Sequence, residues 1–291
     1  MTTSMVDTVN KSAVQAFPRP DGHDAGVAPP PDTLIAALAD VWASLASLGE
    51  TLTAADWDRP TECPGWTVKD QYAHMIGTES ALLGERGPGP LAAPHAKNPM
   101  GELNEGWVDA WRGRSGPEVL DGFRAVTEQR LAALRALAPA EWEAPTTTPV
   151  GPGTYGLFME IRAFDCWVHE QDIRRAVGRP GHFDAPVADL SMARVTGTFA
   201  FVVGKRVGAP DGTTVAVWLS EPLAQSFAVE VSGGRARPCP PPPSPTVRIR
   251  TDGETWLRLG TGRVEASGAT VAFDGDEALG RSVLGALSIT P

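Results

Sequence analysis

Apolar residues recur at helical spacing through the first 180 positions and at strand-like spacing after about 186. Leu34, Leu38, Val41, Leu45 and Leu48 step by four, three, four and three, which marks one face of a helix ending at Gly49. Thr67 followed by Asp70 reads as a capping-box start. Val68, Tyr72, Met75, Ile76, Leu82 and Leu83 form the apolar face of that second helix. Val119, Leu120, Phe123, Val126, Leu134 and Leu137 mark a third, stopped near Pro139. Leu157, Phe158, Ile161, Phe164 and Val168 mark a fourth, stopped by the turn at Gly178–Pro180. Four such helices predict a four-helix bundle, whose two long Gly/Pro-rich links fold over one end.

Beyond Pro186 one further helix is expected at about 187–206. Strands are expected at Thr213–Leu219, Ser226–Val231, Thr246–Arg250 and Ala269–Phe273, with short helices near Glu254–Leu259 and Glu277–Leu287. The overall class is therefore α+β, a helical bundle followed by a smaller α+β domain. Prolines between 18 and 31 predict a flexible tail over residues 1–31. That leaves domains at 32–182 and 186–291. Six prolines between Pro238 and Pro245 predict an extended polyproline loop.

A net charge of −10 over 291 residues argues against nucleic acid as a partner and against a basic membrane-surface protein. Apolar runs are short, as at Phe199–Val203, so no transmembrane helix is expected. The N-terminus has no basic-then-apolar leader, and three cysteines form no disulfide framework, which points to the cytoplasm.

The fourth helix carries the chemistry. Asp165, His169 and Asp172 lie at i, i+4 and i+7 and share a face with Phe158 and Ile161. Charged groups on a core-facing stripe need a partner. Asp165 and His169 suit a divalent metal; a buried Asp–His hydrogen bond, or a pair with Arg162 or Arg174, meets the same need. His74 is the best candidate for a third ligand. It stands opposite the main apolar stripe among Asp70, Gly77, Thr78 and Ala81, so it either faces solvent or lines a covered cleft. Three ligands leave a coordination position open, as in catalytic sites. Asp172 is the candidate to orient a ligand histidine, or else pairs with Arg175. Cys63 and Cys166 read as packing residues, although Cys63 precedes Pro64-Gly65-Trp66 and could be a reactive thiol.

The segments Cys63–Met75 (CPGWTVKDQYAHM) and Arg162–Gly181 (RAFDCWVHEQDIRRAVGRPG) resemble the two signatures of the mycothiol-dependent maleylpyruvate isomerase family. The stretch Gly275–Leu287 looks like the end of a sterol-carrier-like domain. The resemblance implies a DinB-like metal-binding bundle, with His74, Asp165 and His169 as metal ligands and Asp in place of the more frequent Glu. It further implies zinc or another divalent metal and mycothiol as cosubstrate. A metal-bound thiolate would attack a small electrophilic substrate, giving cis–trans isomerisation or S-transfer. Arg263 and Arg281 are the candidate cations for binding thiol or an acidic substrate, alongside Asp172 in catalysis. Two other readings remain: a metal-stabilised carrier of an apolar ligand, and a hydrolase using Asp70 or Asp172 as base.

Overall fold

The computed structural model describes residues 28–289, which divide into two compact units after His182. The tail expected over 1–31 falls mostly outside the described residues, but its last four positions, 28–31, do not. Pro31 opens α1 (Pro31–Glu50), at a helix position where its missing N–H is no loss.

In the first unit, α1 is followed by the single turn α2 (Ala54–Trp57), α3 (Val68–Leu82), α4 (Pro99–Arg112), α5 (Gly116–Ala136), the turn α6 (Pro139–Trp142), the hairpin β1 (Pro145–Thr148) and β2 (Gly151–Thr154), and α7 (Tyr155–Val177). The four expected helices are α1, α3, α5 and α7. Each of α1 and α3 packs against both α5 and α7. The capping box at Thr67–Asp70 forms: the Thr67 hydroxyl accepts from the Asp70 N–H, and Asp70 accepts from the Thr67 N–H at 2.9 Å. Helix α7 starts at the Thr154 cap and ends on Gly178 in the left-handed region, φ 67°.

The links differ from expectation. The first contains a full helix, α4, packed on α3, and the second contains the β1–β2 hairpin. Gly77 permits the first contact: a Cβ there would sit 2.4 Å from Trp107.

His182, the last residue of this unit, bridges Glu170 Oε2 at 2.7 Å and Asp40 Oδ2 at 3.1 Å. The bond to Glu170 raises its pKa above the ordinary value. A raised folded pKa means stability that is full below the unfolded value of about 6.5 and lost as pH climbs through the folded one. The melting-temperature gap between wild type and His182→Gln should therefore shrink as pH rises; a gap that widens would exclude this contribution.

The second unit runs α8 (Pro186–Gly197), α9 (Phe199–Phe201) with a π-turn over Val202–Arg206, then β3 (Thr214–Ser220), β4 (Gln225–Ser232), β5 (Arg235–Cys239), β6 (Val247–Asp252), α10 (Gly253–Gly260), β7 (Ala272–Gly275) and α11 (Glu277–Gly285). The sheet order is β5-β4-β3-β6-β7, with β3 and β6 parallel and the other pairs antiparallel. Val215, Val217, Val229, Val231, Val247 and Ile249 bury alternate positions. The proline run is not wholly a loop, because Pro238 lies in β5 opposite Val229. That strand is at the sheet edge, where a missing N–H is tolerated. Residues 240–246 then carry the chain past β4 and β3 to β6.

Phe199, Phe227 and Trp256 meet edge to face in the core of this unit, with centroids 5.2–5.7 Å apart. By length and composition, α1 and Pro186–Arg206 would pass for membrane spans, contrary to the expectation from short apolar runs. Each nonetheless buries one face inside its own unit, as core helices do.

Candidate metal centre

His74 projects from α3 and Asp165 and His169 project from α7 into one cluster, with donor atoms all within 4.8 Å of one another. His74 Nε2 lies 3.2 Å from Asp165 Oδ2, and His169 Nε2 lies 3.5 Å from Asp165 Oδ1. Tetrahedral zinc, with bonds of about 2.0–2.2 Å to N and O, separates its donors by about 3.3–3.6 Å, and both edges here lie within about 0.1 Å of that span. The donor set therefore fits a divalent cation. Carboxylate with two imidazoles also suits several other metals.

His74 is buried, so its position off the main apolar stripe does not put it in solvent. Burial holds it neutral, with a pKa lowered to about 4. Burial also opposes charge on His169, but the Asp165 carboxylate outweighs it and holds the ring well above the ordinary histidine range. The Asp165 side chain is 31% exposed, so the cluster opens outward on that side.

Both pairings weighed for the acidic residues exist beside the cluster. Arg162 Nη1 donates to Asp165 Oδ2 at 2.5 Å. Arg162 also donates twice to Glu79 Oε1, and Arg130 donates to Glu79 Oε2 at 2.9 Å. Glu79 is 1% exposed. Arg130, Glu79, Arg162 and Asp165 thus form a row of alternating charge that fixes the ligand carboxylate. Asp172 places Oδ2 3.5 Å from His169 Nδ1, while Oδ1 takes Arg175 at 2.5 Å. A carboxylate behind a ligand imidazole fixes its tautomer and tilt, and losing such a partner costs roughly 10–100-fold in metal affinity. Asp172→Asn is expected to fall in that range by chelator competition; unchanged affinity would remove Asp172 from the site.

Two further residues of the site, Trp66 and Glu105, escaped the sequence reading. The Trp66 ring lies over both histidines, centroids 5.1 Å from His74 and 5.9 Å from His169. Its Nε1 donates to Glu105 Oε2 at 2.9 Å. Glu105 is buried on α4 and also meets His95 Nε2 at 2.9 Å and Arg112 at 2.6 Å. Burial works against the Glu105 charge, but these bonds hold its carboxyl below the ordinary range. The visible signal was Trp107 and Trp111, four apart with Leu103, which mark α4 as a helix.

The remaining candidates have other settings. Asp70 caps α3 and lies 3.5 Å from Arg112. Cys166 is fully buried, accepts from Trp42 Nε1, and burial pushes its thiol up to about 12, which fits packing. Arg263 and Arg281 belong to the second unit. Arg263 donates to the Thr261 carbonyl at 2.9 Å, and Arg281 pairs with Glu277 at an exposed end of α11.

Comparison with known proteins accords with this layout. The family described as mycothiol maleylpyruvate isomerase N-terminal domain matches residues 10–174, which contain the whole cluster. The chain belongs to this family. The crystal structure of the mycothiol-dependent maleylpyruvate isomerase resembles it with TM-score 0.55 and 16% identity over 84% of this chain and 93% of that one. A histidine-to-alanine mutant of that isomerase gives 0.51 and 15%. At such identity the likeness establishes the fold. An uncharacterized protein of Mycobacterium tuberculosis, found in two strains, is 28% identical over 142 residues, 46% of this chain. The chain spans about half the length of these curated relatives.

Proposed function

We propose that this member of the maleylpyruvate isomerase family is a divalent-metal, mycothiol-dependent cytoplasmic enzyme that acts on a small electrophile by cis–trans isomerisation or S-transfer. One observation carries the reading: His74, Asp165 and His169 converge at metal-ligand distances inside the matched region. A divalent cation bound there favours the thiolate form of a thiol.

The chain's own residues would do the rest. His74 and His169 would offer Nε2 lone pairs and Asp165 a carboxylate oxygen, with Arg162 steadying that carboxylate through Oδ2. Asp172 would stand behind the His169 ring, its Oδ2 3.5 Å from Nδ1, leaving Nε2 turned to the cluster as the donor. Trp66 covers the imidazole faces, so thiol and substrate would enter beside the exposed edge of Asp165.

The test is metal analysis of wild type beside His74→Ala, with mycothiol binding followed by calorimetry. Thiol binding and one equivalent of metal, both lost in the variant, support the reading. Metal-free wild type that ignores mycothiol overturns it.

A further inference from the structure

Cys63 was read from the sequence as a packing residue. It stands instead in a second cluster of donors behind His169. Its Sγ lies 3.4 Å from Asp172 Oδ2, and that oxygen lies 3.5 Å from His169 Nδ1. All three donor atoms fall within 4.8 Å of one another. His169 is 6% exposed, and its Nδ1 is buried without a hydrogen-bond partner.

We propose that Cys63 Sγ, Asp172 Oδ2 and His169 Nδ1 form a second divalent-cation site, joined to the first through the His169 ring. The inference rests on the preceding reading only in that His169 is shared.

Distances favour coordination. With a metal–sulfur bond near 2.3 Å and metal–nitrogen or –oxygen bonds near 2.0–2.2 Å, a tetrahedral site has donor separations of about 3.3–3.6 Å. The Oδ2–Nδ1 edge, 3.5 Å, falls inside that span, and the Sγ–Oδ2 edge, 3.4 Å, is about 0.1 Å below the roughly 3.5–3.7 Å that the longer sulfur bond sets. The carboxylate is also directed. Arg175 occupies Asp172 Oδ1, which turns Oδ2 toward the thiol and the imidazole.

Charge favours it as well. Arg175 lies between Asp172 and Glu62, so two carboxylates and one guanidinium stand beside the thiol. On binding, the Cys63 S–H proton and the His169 N–H proton pass to water, and sulfur and nitrogen each supply an electron pair. Thiolate with imidazole and one carboxylate suits zinc or cobalt(II) over magnesium or calcium. Half-buried Cys63 is the open corner, where water or a ligand would complete the shell.

The experiment titrates metal-free, full-length protein with cobalt(II) and reads absorption and stoichiometry together. The expected result is two equivalents, the second bringing a thiolate-to-cobalt charge-transfer band. Cys63→Ser and Cys63→Ala should each lose that band and one equivalent while keeping the other. A band that survives both substitutions would come from another thiol and overturns the assignment. One equivalent without the band, itself lost in His74→Ala, overturns the second site and leaves the first standing. No cobalt binding at all overturns both.

Discussion

His169→Ala is expected to lose metal more completely than any other single substitution in the bundle. The ring gives Nε2 to the cluster with His74 and Asp165 and turns Nδ1 toward Asp172. Removing it leaves two donors, one of them a carboxylate that Arg162 also binds. The loss should exceed the roughly 10–100-fold expected when an outer partner such as Asp172 is neutralised. The fold should survive, since truncating one buried side chain costs on the order of 1–3 kcal/mol. Chelator competition and circular dichroism on the same sample separate the two effects. Stoichiometric metal at wild-type affinity in the variant would dissolve the proposed triad.

Glu79→Ala should produce the largest loss of stability. Glu79 stands between two buried guanidinium groups, those of Arg130 and Arg162. Without it, two positive charges stay in the helical core with one fewer counter-charge. Breaking a buried pair in this way costs about 3–5 kcal/mol. For a unit of this size that is a fall in melting temperature on the order of 10 °C. Glu79→Gln keeps the shape and some hydrogen bonds and should fall less. A Glu79→Ala protein melting within a degree or two of wild type would mean that solvent reaches the row. Metal affinity should drop too, because Arg162 would be free to swing from Asp165.

The sequence disclosed the helices that hold the ligands because their signals are local. Thr67 and Asp70 cap α3 with each other, and Gly178 ends α7 in a conformation suited to glycine. The spacing of Asp165, His169 and Asp172 needs nothing outside α7. His74 was harder to place, because burial depends on what covers a helix. The small residues around it look like a solvent face until α4 lays Trp107 against Gly77. Helix α4 was hidden by its two internal glycines and the Gly/Pro-rich stretch before it. Trp66 and Glu105 are 39 positions apart and meet only once α4 is in place. The strand β5 was hidden for the opposite reason: its proline argued against a strand, and an edge position admits one.

The alternating row from Arg130 to Asp165 carries two positive and two negative charges, so it cancels. A dication at Asp165 would then give the mouth of the site a positive field inside a chain of net charge −10. The two fields differ in range. An approaching anion meets the repulsion of the whole surface first and the local attraction only within a few ångströms. Added salt, with a screening length near 8 Å at physiological strength, weakens the far field more than the near one. An anionic thiol should therefore associate faster as salt rises over the low range, the reverse of ordinary electrostatic steering.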